Sequence, residues 1–129
     1  MNLKFHHIGV ACKEIEEVSV FIEKSFNIIK KSEIVILENQ GGVEVCLLTN
    51  HDGTNIELVS GRSVDKFVKK RQFLYHNCWE TSDIAIAISH FVDNGSMLFS
   101  EPKPSKLFNN IRVAFLMSDI GIIELLESE

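Results

Sequence analysis

The sequence has no long apolar run, few prolines, few cysteines and no excess of basic charge. No segment approaches the ~20 consecutive apolar residues that span a bilayer. The N-terminus, Met1-Asn2-Leu3-Lys4-Phe5-His6-His7, lacks the apolar core of a secretion signal. Cys12, Cys46 and Cys78 form an odd set without a Cys-x-x-Cys pair, which fits a reducing compartment and points to the cytoplasm. A net charge of −5 at pH 7 removes the basic face that nucleic-acid binding needs. Low-complexity segments and flexible interdomain linkers are missing as well. The 45% apolar and 24% charged content is that of an ordinary soluble globule, and 129 residues suffice for one domain with a real core.

Against this plain background the chain repeats itself. Phe5-His6-His7-Ile8-Gly9-Val10 opens one half and Leu74-Tyr75-His76-Asn77-Cys78-Trp79 opens the other. Asn55-Ile56-Glu57-Leu58-Val59 closes the first half, and Ile122-Ile123-Glu124-Leu125-Leu126 closes the second. His7 and His76 are 69 positions apart, and Glu57 and Glu124 are 67 apart. A nearly constant offset is the mark of a duplicated module.

Each half reads as β-α-β-β-β. In the first, Leu3–Ala11 alternates as a strand, and Ile15, Val18, Ile22 and Phe26 carry helical spacing. Ile28–Leu37 is expected as one strand, reversed by Asn39-Gln40-Gly41-Gly42. Val43–Thr49 and Thr54–Ser60 follow, joined at His51-Asp52-Gly53. In the second, Phe73–Glu80 is a strand, Thr81-Ser82-Asp83 offers helix caps, and Ile84, Ala87, Ile88, Phe91 and Val92 form a helical stripe. Ser96–Ser100 is expected as a short strand. Glu101–Asn110, which holds Pro102 and Pro104, is expected as a loop, and Ile111–Met117 and Gly121–Glu127 as the closing pair. Tyr75 and Trp79 alternate away from His76 and are expected to pack beneath the helices. Modules at 1–61 and 73–129 are thus joined by an amphipathic linker helix at 62–72 within a single domain.

Alternation sends His6 and His7 to opposite faces, so only one of them can share a site with the other half. A glutamate within Ile-Glu-Leu is costly to bury unless it is paired or coordinated. His7, Glu57, His76 and Glu124 are therefore the candidate metal ligands. Two imidazoles and two carboxylates suit one divalent ion among Co²⁺, Mn²⁺, Ni²⁺, Fe²⁺ and Zn²⁺, with no preference for a thiolate metal. The expected fold is α+β, two tandem βαβββ modules forming a half-open barrel around that site.

His7-Ile8-Gly9, the second histidine at His76 and the paired Ile-Glu-Leu strands resemble the vicinal oxygen chelate superfamily. That group includes glyoxalase I, methylmalonyl-CoA epimerase, fosfomycin-resistance proteins and extradiol dioxygenases. The resemblance covers about Phe5 to Leu126. His7-Ile8-Gly9-Val10-Ala11 and Arg112-Val113-Ala114-Phe115-Leu116 look most like the epimerase branch. A ligand at Glu57 implies the four-ligand branches, which isomerise or epimerise by proton transfer next to a carbonyl, over the three-ligand dioxygenases and fosfomycin-resistance enzymes.

The resemblance implies Glu124 as catalytic base, and a second acid/base residue just before the third strand. Glu38, Asn39 or Gln40 occupies that place, depending on register, and of the three only Glu38 transfers protons readily. A small 2-acyl-CoA or related thioester is the implied substrate class and a homodimer the implied assembly. A lactoylglutathione-lyase-like isomerase is the alternative enzyme, and a metal-free antibiotic- or metabolite-binding protein the alternative of another class. Lys103, Lys106 and Arg112 could meet a substrate carboxylate or coenzyme phosphates, but a solvated loop is the simpler expectation. The same holds for the basic linker.

Overall fold

The computed structural model describes residues 2–128 and resolves them into two compact units. One is His7–Tyr75; the other holds the rest of the described residues. Each is an α+β layer with one main helix on one face of a mixed sheet.

The first unit contains β1 (Lys4–Ala11, from His7 onward), α1 (Ile15–Ser25), β2 (Ile28–Lys31), β3 (Val35–Leu37), β4 (Val43–Asn50), β5 (Asn55–Ser60) and α2 (Asp65–Lys69). Its strand order is β2-β4-β5-β1, with β3 also on β4. β1 and β5 run parallel, and the other pairs are antiparallel. Ile15 and Ile22 of α1 pack on Cys46, Leu48, Ile56 and Leu58, the apolar face of β4 and β5. The period of α1 and the alternation of the strands meet here as one core.

The second unit contains β6 (Leu74–Thr81, from His76), α3 (Ile84–Asp93), β7 (Met97–Ser105), β8 (Ile111–Ser118) and β9 (Gly121–Glu127). Its order, β6-β9-β8-β7, repeats the first, again with the first and last strands parallel. Ile84 and Ala87 of α3 pack on Ala114, Leu116, Ile123 and Leu125, with Trp79 against the same cluster. Two anchors fix the start of α3. The Asp83 carboxylate accepts from the Ile86 N–H at 3.1 Å, and the Glu127 carboxylate accepts from the Ile84 N–H at 3.1 Å.

Several expected boundaries move. Ile28–Leu37 is two strands, because the Leu47 N–H is taken by the Ser32 hydroxyl (2.8 Å), a side chain standing in for the backbone ladder. Glu101–Ser105 is not a loop: β7 runs through Pro102 and Pro104 to Ser105. Among the described residues it is the outermost strand of its unit and pairs only with β8, and the register shifts between Ser100 and Lys103, so the missing proline N–H groups are tolerated. The linker helix spans only Asp65–Lys69, after a 3-10 turn at Arg62–Val64, and ends where Arg71 takes φ 56°. Phe26 is not a core position of α1; it is the exposed residue that ends it. Gly41 and Gly42, at φ 80° and 72°, make the turn into β4 that a side chain would strain. No described helix is long and apolar enough to cross a membrane.

Candidate metal centre

Parallel pairing of the first and last strands decides which side chains meet. In the first unit His7 is opposite Asn55, and Gly9 is opposite Glu57. In the second His76 is opposite Ile122, and Cys78 is opposite Glu124. The glutamate therefore stands two residues along the neighbouring strand from the histidine in both units, on the same face, within reach of its side chain. His7 Nε2 lies 3.6 Å from a Glu57 carboxylate oxygen, and His76 Nε2 lies 3.1 Å from one of Glu124. These side chains are hidden from solvent: His7 is 0% exposed, Glu57 4%, His76 5% and Glu124 2%. All four point away from the helix, since the helix-packed positions are their neighbours Ile8, Ile56, Leu58, Ile123 and Leu125.

The donor chemistry fits a divalent ion. A buried carboxylate needs a compensating positive charge or strong donors, and each half supplies a neutral-capable imidazole beside it. Nitrogen and hard oxygen donors of this kind suit first-row divalent metals. The first-half pair has no side chain next to it on β1, because Gly9 occupies the position that Cys78 fills in the second half.

The neighbours on each face differ. Beside Glu57 stand Leu47 on β4 and, one pair further, Thr49 opposite Asn55, with the Thr49 hydroxyl donating to Asn55 Oδ1 at 2.7 Å. Beside Glu124 stand Phe115 on β8 and, one pair further, Met117 opposite Ile122. The Phe115 ring lies edge-on to the His76 imidazole, with centroids 6.0 Å apart. Asn55, two residues before Glu57 on the same strand, is legible in the sequence as a neighbour of the site; Phe115 and Thr49 join it through strand pairing with Glu124 and Asn55.

Glu38 begins an exposed 3-10 turn, Glu38–Gln40, after β3. The adjoining pair Leu37–Val43 is four residues further along β4 than the Leu47–Glu57 pair. Asn39 is exposed and Gln40 half-buried. His6 turns to the other face from His7 and meets the ring of Phe108 at 5.3 Å. Arg112 is occupied: Nη2 and Nε lie 2.8 and 2.9 Å from a Glu127 oxygen, the carboxylate that also anchors α3. Lys103 lies in β7 opposite Val113 and Lys106 in a 3-10 turn, not in an open loop. In the basic linker Lys66 lies over Phe67 and Arg71 over Phe73.

Residues 6–115 match the sequence model of the glyoxalase/bleomycin resistance protein/dioxygenase superfamily. The chain belongs to that superfamily. No curated protein matches it. Solved structures do. A hypothetical protein of Bacillus halodurans C-125 is 24% identical over 100% of this chain and 96% of its own, with a TM-score of 0.77. Methylmalonyl-CoA epimerase from Mycobacterium tuberculosis is 20% identical over 98% and 88%, with a TM-score of 0.82. A variant of the Streptomyces coelicolor methylmalonyl-CoA epimerase, in complex with 2-nitronate-propionyl-CoA, is 22% identical over 97% and 96%, with a TM-score of 0.75. At these identities the likeness shows a shared fold. This superfamily member thus carries the α+β fold of the epimerases, with a buried His–Glu pair in each half.

Proposed function

We propose that the chain is a metal-dependent isomerase or epimerase that moves a proton at a carbon next to a carbonyl. His7, Glu57, His76 and Glu124 together would hold one divalent ion. The observation that carries this reading is the buried His–Glu pair, repeated at one strand register in both halves. A bound divalent ion would supply Lewis-acid polarisation of the substrate's oxygens. The chain's own part is to hold and move the proton. Glu124, buried and flanked by Phe115 and Cys78, is the proposed base, because its carboxylate can accept a proton on the face where the substrate would lie. Glu38 is the proposed partner acid, as the one proton-transferring side chain among the three of its turn.

A small acyl-CoA or related thioester is the proposed substrate class. It is supported by the epimerase neighbours, one of them described in complex with methylmalonyl-CoA and another with 2-nitronate-propionyl-CoA. A homodimer in the cytoplasm completes the proposal.

Elemental analysis of purified protein tests the centre. About one divalent ion per chain is expected in the wild type, with loss in both His7→Ala and Glu124→Ala. Loss in only one variant would assign the ion to that variant's half alone. No ion after incubation with Co²⁺, Mn²⁺, Ni²⁺ or Zn²⁺ would leave the metal-free binding protein as the better reading. With metal in place, Glu124→Gln is expected to lower exchange of the proton next to the carbonyl of the acyl-thioester substrate about 10²–10⁴-fold, and Glu38→Gln likewise.

A further inference from the structure

The second half carries an apolar platform on the same face as its His–Glu pair, and the first half has a polar one in the matching place. Phe115 is opposite Glu124, where the first half has Leu47 opposite Glu57. Met117 is opposite Ile122 and Met97, where the first half has Thr49 opposite Asn55 and Lys30. An extra residue in β7, between the Leu98–Leu116 and Ser100–Phe115 pairs, delivers Phe99 onto Phe115. Their rings stack with centroids 6.1 Å apart and planes 29° from parallel. Core packing does not account for these side chains: Phe99 is 54% exposed, Met97 69% and Met117 47%. A contiguous apolar surface left open beside buried polar ligands is what an apolar ligand group would cover.

We infer that the substrate places an apolar aromatic or branched substituent, larger than methyl, on Phe99 and Phe115, and that Phe115 determines this specificity. The inference rests on the metal-centre reading and adds the substituent's class to it. The stacked rings offer a flat face to an aryl or branched alkyl group, whose carbon bears the proton that Glu124 takes.

Calorimetric titration of the Co²⁺-loaded protein with two chelating probes, acetohydroxamate and phenylacetohydroxamate, tests this. The phenyl probe is expected to bind at least about tenfold more tightly, from the apolar area it covers. In Phe115→Leu, which installs the first-half residue, and in Phe99→Ala, at an exposed position, the ratio should fall to about threefold or less. Equal affinities in the wild type would overturn the inference and leave the metal centre standing. A preference that survives both variants would also overturn it. Binding of neither probe would remove the chelating-metal reading together with the inference. Sedimentation of Phe99→Ala covers the competing occupant: a lower oligomeric state with an unchanged preference would assign the platform to a second copy of this chain.

Discussion

The two halves of this chain share a frame and differ in its surroundings. His7 with Glu57 and His76 with Glu124 occupy equivalent registers, and each half backs its sheet with one helix over an aliphatic cluster. Around that frame almost every matched position has diverged: Gly9 against Cys78, Leu47 against Phe115, Thr49 against Met117, Asn55 against Ile122. What both halves need, a buried donor pair and a packed helix face, is retained. What only one substrate end would touch is not. The two halves thus keep the same His–Glu register and differ in the residues around it.

The largest test of the common frame is in the two cores. Leu58 follows Glu57 and Leu125 follows Glu124; both are fully buried beneath their helix. Leu58→Ala and Leu125→Ala should each cost about 2–5 kcal/mol, the loss of a buried side chain plus the cavity it leaves. Urea unfolding curves check this. A cost below about 1 kcal/mol in one half only would mean that its helix is not held by the same packing as the other's.

The repeat makes this frame legible in the amino-acid sequence. Period-two alternation around His7 and His76, and the cost of a glutamate inside Ile-Glu-Leu, set the four proposed ligands apart. Two local rules give way to their context in the fold. Pro102 and Pro104 argued for a loop, yet an outer strand with a shifted register accepts them. Ile28–Leu37 looked continuous, but Ser32 competes with the ladder through its hydroxyl. Phe99 was hidden for a related reason: only the extra residue in β7 moves it onto the face of Phe115, and bulges leave no clear trace in a single sequence. The role of Glu127 was equally hidden, because the helix it anchors begins 43 residues earlier.

The helix starts give a smaller difference between the halves. α3 has Asp83 as a working cap and Glu127 on its first N–H; α1 begins after Glu14, whose side chain caps nothing. Asp83→Ala should lower stability by about 1 kcal/mol, because the Ile86 N–H loses its acceptor. Glu14→Ser should raise it by about 0.5–1 kcal/mol by supplying the missing cap. Thermal melts of the two variants resolve both signs. A loss in Glu14→Ser would show that the carboxylate's attraction to the positive end of α1 outweighs a cap.

Cysteine placement separates the halves at high pH. Cys12 and Cys46 sit in the aliphatic cluster under α1; the cluster under α3 contains none, and Cys78 lies on the opposite face beside Glu124. Burial pushes the Cys12 thiol from 9.0 up to about 11, with a smaller push from the neighbouring Cys46, and burial raises Cys46 as well. The unfolded chain ionises first, so the neutral buried thiol's contribution is full below pH 9 and is lost as pH rises from 9 towards 11. Within that window Cys12 should contribute a fall in stability of up to about 1.4 kcal/mol per pH unit. Cys12→Ala should flatten the slope while lowering stability slightly at neutral pH, which urea titrations at pH 7, 9 and 10 would measure. An unchanged slope would assign the alkaline weakness to a group other than Cys12, Cys46 of the same cluster included. Thiol labelling gives the same sign independently: Cys12 should react with iodoacetamide far more slowly than an unfolded cysteine at pH 9, since both its accessible surface and its thiolate fraction are small.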